Sequence, residues 1–380
     1  MKYILTYKDA QEICQKYNSN NFWEFTFTKD GYKLAAFNYF ICGWNDFANP
    51  LPNRPEVNAF DLRGVTFVFN KDGSLWKTFF MLPKFFNLNQ VDSTQYGVVK
   101  DKEICSITEK ADGSLIAFMM LPNGKLFAKT IGSFTSEQSE LAYNLLYTNE
   151  EHVIWVKELL NAGYTPLFEY VSWDNRVVLK YSKPQIRFIG MRDNITGIYY
   201  SVSEINKSFI PKDMQVVEEE SGTLDSLIEE SKTAEGKEGW VIKFTDDQLI
   251  KLKTAWYFIK HKCKDDAERE NIIIKMILDE TIDDLLSQLE DEEFRNQIKH
   301  IQEIVMNYFY KKSLEVEKLC KLYKGDRKEF VLKFKSNPNF SFAIQHIFNN
   351  KDIRISIKEY LEKRTHKLNN AREFIDKGCI

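Results

Sequence analysis

The stretch "SITEKADGSLIAFMM", residues 106–120, sets Lys110, Asp112 and Gly113 between two runs of strand-forming residues, and the reading of that interruption decides the fold. By itself Asp112-Gly113 is a favoured hairpin dipeptide, because glycine accepts positive φ and aspartate bonds its own backbone. Two other stretches serve as comparators: "TKDGYKL" (28–34) and "NKDGSLW" (70–76) carry the same Lys-Asp-Gly flavour and read as ordinary surface hairpins. On these terms Lys110 is a solvated turn lysine, and only its company elsewhere in the chain changes that reading.

A chain of 380 residues is long enough for two domains, or one large one, with a sizeable core. Hydrophobic residues at 43% and charged residues at 28% belong to an ordinary soluble globular protein. The 29 Phe and 18 Tyr supply rings that can stack bases, although filling the core is the first use of most of them. A net charge of -3 excludes a uniformly basic nucleic-acid binder, so any such surface is a local groove. The six cysteines are scattered, with no Cys-x-x-Cys and no histidine at zinc-ligand spacing, which predicts a reduced cytoplasmic protein without structural zinc. The opening "MKYILTYKDAQEIC" has too short an apolar run for a signal peptide, and no stretch approaches the roughly 20 apolar residues of a membrane span. Neither secretion nor membrane insertion is expected.

Residues 1–260 alternate short strand signals with turn punctuation: "FWEFTFT", "GVTFVF", "SLIAFMML", "KLFAKT", "TPLFEYV", "RVVLKY", "IRFIGM", "IYYSV", "GWVIKF" and "LIKLK". Helices are predicted at Tyr7–Lys16, Ser136–Ala162 and Thr223–Ser231. Strands in close succession with few helices predict an antiparallel α+β domain, and no Gly-x-Gly-x-x-Gly or Walker-type loop is present. Beyond it the texture changes: Phe294, Ile298, Ile301, Val305 and Phe309 recur at helical spacing, and residues 261–380 read as an all-α C-terminal domain with internal loops at 324–326 and 337–339.

Further charged residues lie in or beside the strand signals in a fixed order. Arg63 ("DLRGVTFVF") and Lys84 ("LPKFFNLN") precede Lys110; Lys129 ("KLFAKTIGSF"), Glu169 ("PLFEYVSWDNRVVLKY"), Glu238 and Gly239 ("GKEGWVIKF"), and Lys251 and Lys253 ("LIKLKTAWY") follow. Any one of them is well explained as a solvated strand position. The ordered set is not. It resembles the covalent nucleotidyltransferases, the ATP-dependent ligases and RNA capping enzymes, whose nucleophile motif Lys-x-Asp-Gly here reads Lys110-Ala111-Asp112-Gly113. Within them it is most similar to phage tRNA-repair RNA ligases of the T4 RNA ligase 1 type, over about residues 60–260, with "RGVTFVF", "PKFFNL", "KADGSL", "EGWVIKF" and "IKLKTAWY" carrying the likeness. Ala111 departs from that family's usual glutamate, at a position variable across the wider group.

The resemblance implies an antiparallel-sheet nucleotidyltransferase domain, the ATP-grasp-like ligase fold, that joins RNA 5'-phosphate and 3'-hydroxyl ends through lysyl-AMP and RNA-adenylate intermediates. Lys110, Lys251, Lys253 and Glu238 are then the catalytic set. Tyr39, Arg63, Lys84, Phe86, Glu109, Lys110, Gly113, Lys129, Glu169, Gly239, Lys251 and Lys253 would bind ATP. Asp112, Glu169 and Glu238 would hold Mg2+ through its waters, with Mn2+ able to substitute. A lysine attacks only as the neutral amine, and cations beside a lysine favour that form; Lys251 and Lys253 are expected to serve so, and to stabilise charge on the phosphate. Gly113 and Gly239 are expected to let the backbone approach the nucleotide. Arg187 and Arg192 are further phosphate candidates, and Lys243, Lys260, Lys262 and Lys264 extend a basic neighbourhood suited to a phosphate backbone.

The implied partner is RNA, as single strands or nicked tRNA ends selected by the helical domain, after a separate polynucleotide kinase-phosphatase has healed them. The protein would act as a monomer in the cytoplasm, the host's if phage-encoded. The alternatives are a DNA ligase or capping enzyme, which the helical texture after residue 260 disfavours because both normally carry an OB-fold there, and an inactive RNA-binding relative, which has no need of a lysine at 110.

Overall fold

The computed structural model describes residues 3–16, 21–40, 42–172, 181, 183–257, 270–286 and 292–376. The chain divides into two compact units, 1–261 and 262–380. Among its described residues the first contains three sheets. One is antiparallel in the order β1 (Phe22–Lys29), β2 (Tyr32–Tyr39), β3 (Thr66–Phe69) and β4 (Leu75–Phe79). A second has the order β11 (Tyr199–Ser201), β10 (Gln185–Asp193), β9 (Tyr164–Val171), β7 (Ser114–Met120), β8 (Leu126–Lys129). The third has the order β12 (Glu219–Glu220), β6 (Ile104–Glu109), β13 (Gly239–Phe244), β14 (Leu249–Lys253), β5 (Phe86–Asn87), and only its short β14–β5 pair is parallel. The α+β, mainly antiparallel character matches the sequence reading.

The two comparator stretches are hairpins. Asp30 and Gly31 join β1 to β2 with φ of 53° and 81°, as a two-residue turn of the primed type requires. Gly73, at φ 86°, turns β3 into β4. Residues 110–113 do something else: β6 pairs with β12 and β13, whereas β7 pairs with β8 and β9, so the Lys-Ala-Asp-Gly segment carries the chain from the third sheet to the second. Leu115 to Met120 of β7 are buried throughout, the pattern of a strand covered on both faces, which is why "LIAFMM" shows no polar alternation.

The long helix expected over 136–162 is two: α4 (Glu137–Leu146) and α5 (Glu150–Asn161), besides α1 (Tyr7–Lys16), α2 (Trp44–Ala48) and α3 (Tyr96–Val99). Asn149 makes the break, accepting a hydrogen bond from the Glu151 amide as the N-cap of α5 ahead of two glutamates in the first turn. Leu146, Val156 and Leu160 from the pair pack with Phe118, Phe168 and Phe188 of the second sheet. A second core joins Ala10 and Ile13 of α1 to Phe37 and Phe67. A third joins Leu224 and Leu227 of α6 (Leu224–Thr233) to Trp240 and Ile250. Each buried side chain of this size contributes about 1.5–3 kcal/mol.

The second unit is helical among its described residues: α7 (Glu270–Leu278), α8 (Ile282–Leu286), α9 (Glu292–Cys320), α10 (Arg327–Phe334), α11 (Phe340–Asn349), α12 (Ile353–Thr365) and α13 (Leu368–Asp376). Ile298, Ile301, Val305 and Phe309 form the buried face of α9 that their spacing predicts, and Phe294 is half-buried on it. No helix of the described residues is long and apolar enough to cross a membrane.

Candidate active site

Lys110 follows directly on β6, and its amide donates to the Gly239 carbonyl at 2.9 Å, so the last register of the third sheet fixes its position. Its ammonium lies 2.9 Å from Glu238 Oε1. Lys253, at the end of β14, approaches the same oxygen at 3.0 Å. Glu238 immediately precedes β13, and Gly239 stands opposite Lys253 in the β13–β14 register. One buried carboxylate oxygen thus joins the Lys-x-Asp-Gly, Glu-Gly and Lys-x-Lys segments. Burial alone would raise the Glu238 carboxyl, but Lys110 and Lys253 outweigh it and hold the group below its ordinary range. A carboxylate, Glu238 of the expected catalytic set, therefore stands between Lys110 and Lys253, and it favours the charged form of both. Lys251 lies two residues away on the same face of β14, its ammonium 5.9 Å from the Phe85 ring.

Asp112 is buried. Its Oδ1 accepts from the Tyr257 hydroxyl at 3.0 Å, while its amide donates to the Tyr181 hydroxyl at 3.1 Å. The Tyr257 ring also lies 5.0 Å from the Lys253 ammonium. Neither tyrosine was singled out from the sequence. Tyr257 sits four residues beyond Lys253 in the quoted "LIKLKTAWY", close enough to have been a candidate, whereas nothing local marks Tyr181. Glu169, on β9, retains a little accessibility yet is surrounded by protein. Burial pushes its carboxyl up to about 8, Lys110 and Arg63 oppose the shift, and the neighbouring Glu238 and Asp112 carboxylates add to it.

Arg63 precedes β3 and donates to the Leu82 carbonyl at 3.1 Å. The Lys84 ammonium lies over three rings, Tyr39 at 5.2 Å, Phe86 at 5.3 Å and Phe47 at 5.6 Å, a cation–π setting. Tyr39 and Phe86 are buried beneath it, and Phe47 is a further member the sequence did not flag.

Other expected site residues make their contacts within the protein. Glu109, expected at the nucleotide, is paired with Arg187, whose Nη1 lies 2.9 Å from the carboxylate. Lys129 is fully buried, donating to the carbonyls of Gly64 at 3.1 Å and Ile131 at 3.0 Å. Arg192 is 2% exposed and pairs with Asp61 at 2.9 Å. Lys243 is buried against Glu204 at 2.7 Å and Asp247 at 3.2 Å, so it adds nothing to a basic surface. Lys260, Lys262 and Lys264 lie outside the described residues.

Gly113 and Gly239 are required by strand packing. A Cβ on Gly113 would stand 2.2 Å from the Tyr170 carbonyl oxygen of β9, and one on Gly239 would stand 2.0 Å from that of Leu252 on β14. Their close approach is to protein backbone, where the sequence suggested a nucleotide. Among the described residues no three carboxylate, histidine or cysteine side chains converge closely enough to ligate a metal directly, so Asp112, Glu169 and Glu238 form no direct cage. They do form an oxygen-only set of neighbouring acids, and that donor chemistry fits a hard hydrated cation once Glu169 ionises.

Residues 61–267 match the sequence family described as RNA ligase, of the T4 RNA ligase 1 type. The chain is similar, at 25% identity over 308 residues covering 76% of it and 79% of the relative, to a Thermovibrio ammonificans protein whose name proposes an RNA ligase. Among solved structures it is similar to an archaeal ATP-dependent RNA ligase in its form 2, with a TM-score of 0.50, 13% identity and 87% of each chain covered. Form 1 gives a TM-score of 0.47 at 14% identity, covering 82% of this chain and 83% of that one. At 13% identity the likeness to form 2 speaks to the fold alone.

Proposed function

The chain belongs to this RNA ligase family, and from that premise we propose that it is an ATP-dependent RNA ligase that works through a lysyl-AMP on Lys110. The observation that carries the reading is the single Glu238 oxygen on which Lys110 and Lys253 converge, at 2.9 and 3.0 Å, at the crossover between two sheets. A turn lysine has no reason to sit there. Family membership and the ordered motifs support the rest.

In the first step Lys110, paired as an ammonium with Glu238, must first give up a proton to solvent, and the neutral amine then attacks the α-phosphorus of ATP. A P–N bond forms, the bond from Pα to the bridging oxygen breaks, the amine proton is released, and pyrophosphate leaves. Lys251 and Lys253 stabilise charge on the reacting phosphate, and Arg63 and Lys84 meet the rest of the nucleotide. An oxygen of an RNA 5'-phosphate then attacks the lysyl-AMP phosphorus, breaking the P–N bond and returning the amine. A 3'-hydroxyl finally attacks the activated 5'-phosphorus, forming the phosphodiester and releasing AMP. When bound, Mg2+, or Mn2+ in its place, would neutralise phosphate charge, held through its waters by Asp112, Glu169 and Glu238. The helical unit would select the RNA, such as a cleaved tRNA already healed by a separate kinase-phosphatase, with the enzyme acting as a monomer in the cytoplasm.

Incubation with α-labelled ATP or GTP, followed by peptide mapping, tests the chemistry. Label from ATP on Lys110 and sealing of single-stranded RNA in preference to nicked DNA are expected. Label from GTP alone, or on another residue, overturns the reading.

A further inference from the structure

The two most deeply buried cations of the second sheet, Lys129 and Arg192, come from strands on opposite sides of the β9–β7 centre, yet they reach the same pair of segments. Arg192 donates from Nη2 to Asp61 Oδ1 at 2.9 Å and from Nη1 to the Met81 carbonyl at 3.0 Å. Lys129 donates to the Gly64 carbonyl at 3.1 Å, with the Met81 sulfur 3.7 Å away. Residues 60–64 and 81–84 are also stitched to each other, by Arg63 Nη1 on the Leu82 carbonyl and by the Lys84 amide on the Phe60 carbonyl at 2.8 Å. The contact is tight: Gly64 has φ 91°, and a Cβ there would stand 2.6 Å from the Met81 sulfur.

A cation is a costly way to fill a core. Burial drives the Lys129 ammonium down to about 7, and no carboxylate among the described residues pairs with it. Arg192 leaves its Nε buried without a partner. An apolar side chain would fill either space at lower cost, but it could not grip a carbonyl.

We propose that Lys129 and Arg192 are positioning residues that fix the Arg63- and Lys84-bearing segments from beneath, without touching the nucleotide themselves. The proposal rests on the reading that Arg63 meets ATP. A double-mutant cycle in the full-length protein tests it, with self-adenylation kcat/KM for ATP measured for Arg192→Lys, Arg63→Ala and the pair, and folding followed by circular dichroism. Arg192→Lys should lose at least about fivefold in the wild-type background and less than about twofold once Arg63 is gone, within the coupling range of residues acting as a unit. Equal losses in both backgrounds overturn the proposal, since a general structural defect is indifferent to Arg63. Should Arg192→Lys fail to fold, Asp61→Asn removes the charge of the same contact more gently and goes through the same cycle. Lys129→Met is run likewise, with Lys129→Gln as the variant that keeps a donor and should recover part of the loss. If Arg63→Ala adenylates like wild type, the reading of Arg63 fails first and takes the clamp with it, an outcome distinct from additivity.

Discussion

Replacing Gly239 by alanine puts the crossover geometry to a quantitative test. At φ 148° the residue occupies a region open essentially to glycine alone, and occupying it with a side chain costs about 1–3 kcal/mol. The new methyl would stand 2.0 Å from the Leu252 carbonyl oxygen and 2.7 Å from the Lys253 Cα, both backbone atoms that cannot rotate aside. Overpacking of that kind adds about 1–3 kcal/mol, so the total is roughly 2–6 kcal/mol. Gly73→Ala is the control, because that glycine has φ 86° and nothing within 4 Å of its Cβ, leaving only a left-handed penalty of about 1–2 kcal/mol. Trp240, fully buried and next in sequence to Gly239, is one of seven tryptophans whose fluorescence in urea follows unfolding. The displaced β14 must also carry Lys253 away from Glu238, so self-adenylation should fall by at least about tenfold where the protein stays folded, as expected when positioning in an active site is lost. A Gly239→Ala protein that unfolds at the same urea concentration as Gly73→Ala and adenylates like wild type would refute the account of why glycine stands there.

Lys110→Ala should abolish uptake of label from ATP yet still seal RNA supplied with a pre-adenylated 5' end, because the last step does not use the amine; label on the variant would refute the assignment. Lys29→Ala and Lys71→Ala, in the hairpin comparators, should stay within about 0.5 kcal/mol of wild type and keep full adenylation. Glu169→Gln should change the pH dependence of stability: the carboxyl titrates at about 8 in the fold against 4.5 ordinarily, so the native state keeps a proton that the unfolded chain has released, and the wild type loses stability as pH rises between those values. The Tm advantage of the neutral variant should therefore grow from about pH 4.5 to about pH 8 and then level, and a constant difference across that window contradicts it. At pH 7, Mg2+ titrated into wild type should release protons as Glu169 ionises, and calorimetry in buffers of different ionisation heat should find that release absent in Glu169→Gln.

The sequence was most legible where one short pattern had one physical outcome. Alternating and continuous apolar runs matched strands wherever the residues are described, "RVVLKY" at 176–181 lying almost wholly outside them; α1 appeared with its bounds intact, and Asp30-Gly31 and Gly73 made the turns their dipeptides favour. Asp112-Gly113 shows the limit. The same two residues serve a crossover, because β6 and β7 each find partners far along the chain, and no local signal carries that information. The order of the charged motifs carried it instead. What stayed hidden was three-dimensional: the Tyr181 hydroxyl on the Asp112 amide, the backbone contacts that require Gly113 and Gly239, and the burial of Lys129, Arg192 and Lys243. A lysine on an amphipathic strand reads the same whether its ammonium meets water, a phosphate or a buried carbonyl.

The carboxylate of Glu238 between two lysines bears on what the enzyme can endure during a turnover. Converting Lys110 to a phosphoramidate would erase its positive charge, and a carboxylate left alone at that depth would be strongly destabilising. Lys253, 3.0 Å away on the same oxygen, stays behind as the counter-ion. On the proposed mechanism the arrangement would give the adenylated protein a charge-compensated interior at the moment its nucleophile is masked, and would let the loaded enzyme persist until an RNA end arrives.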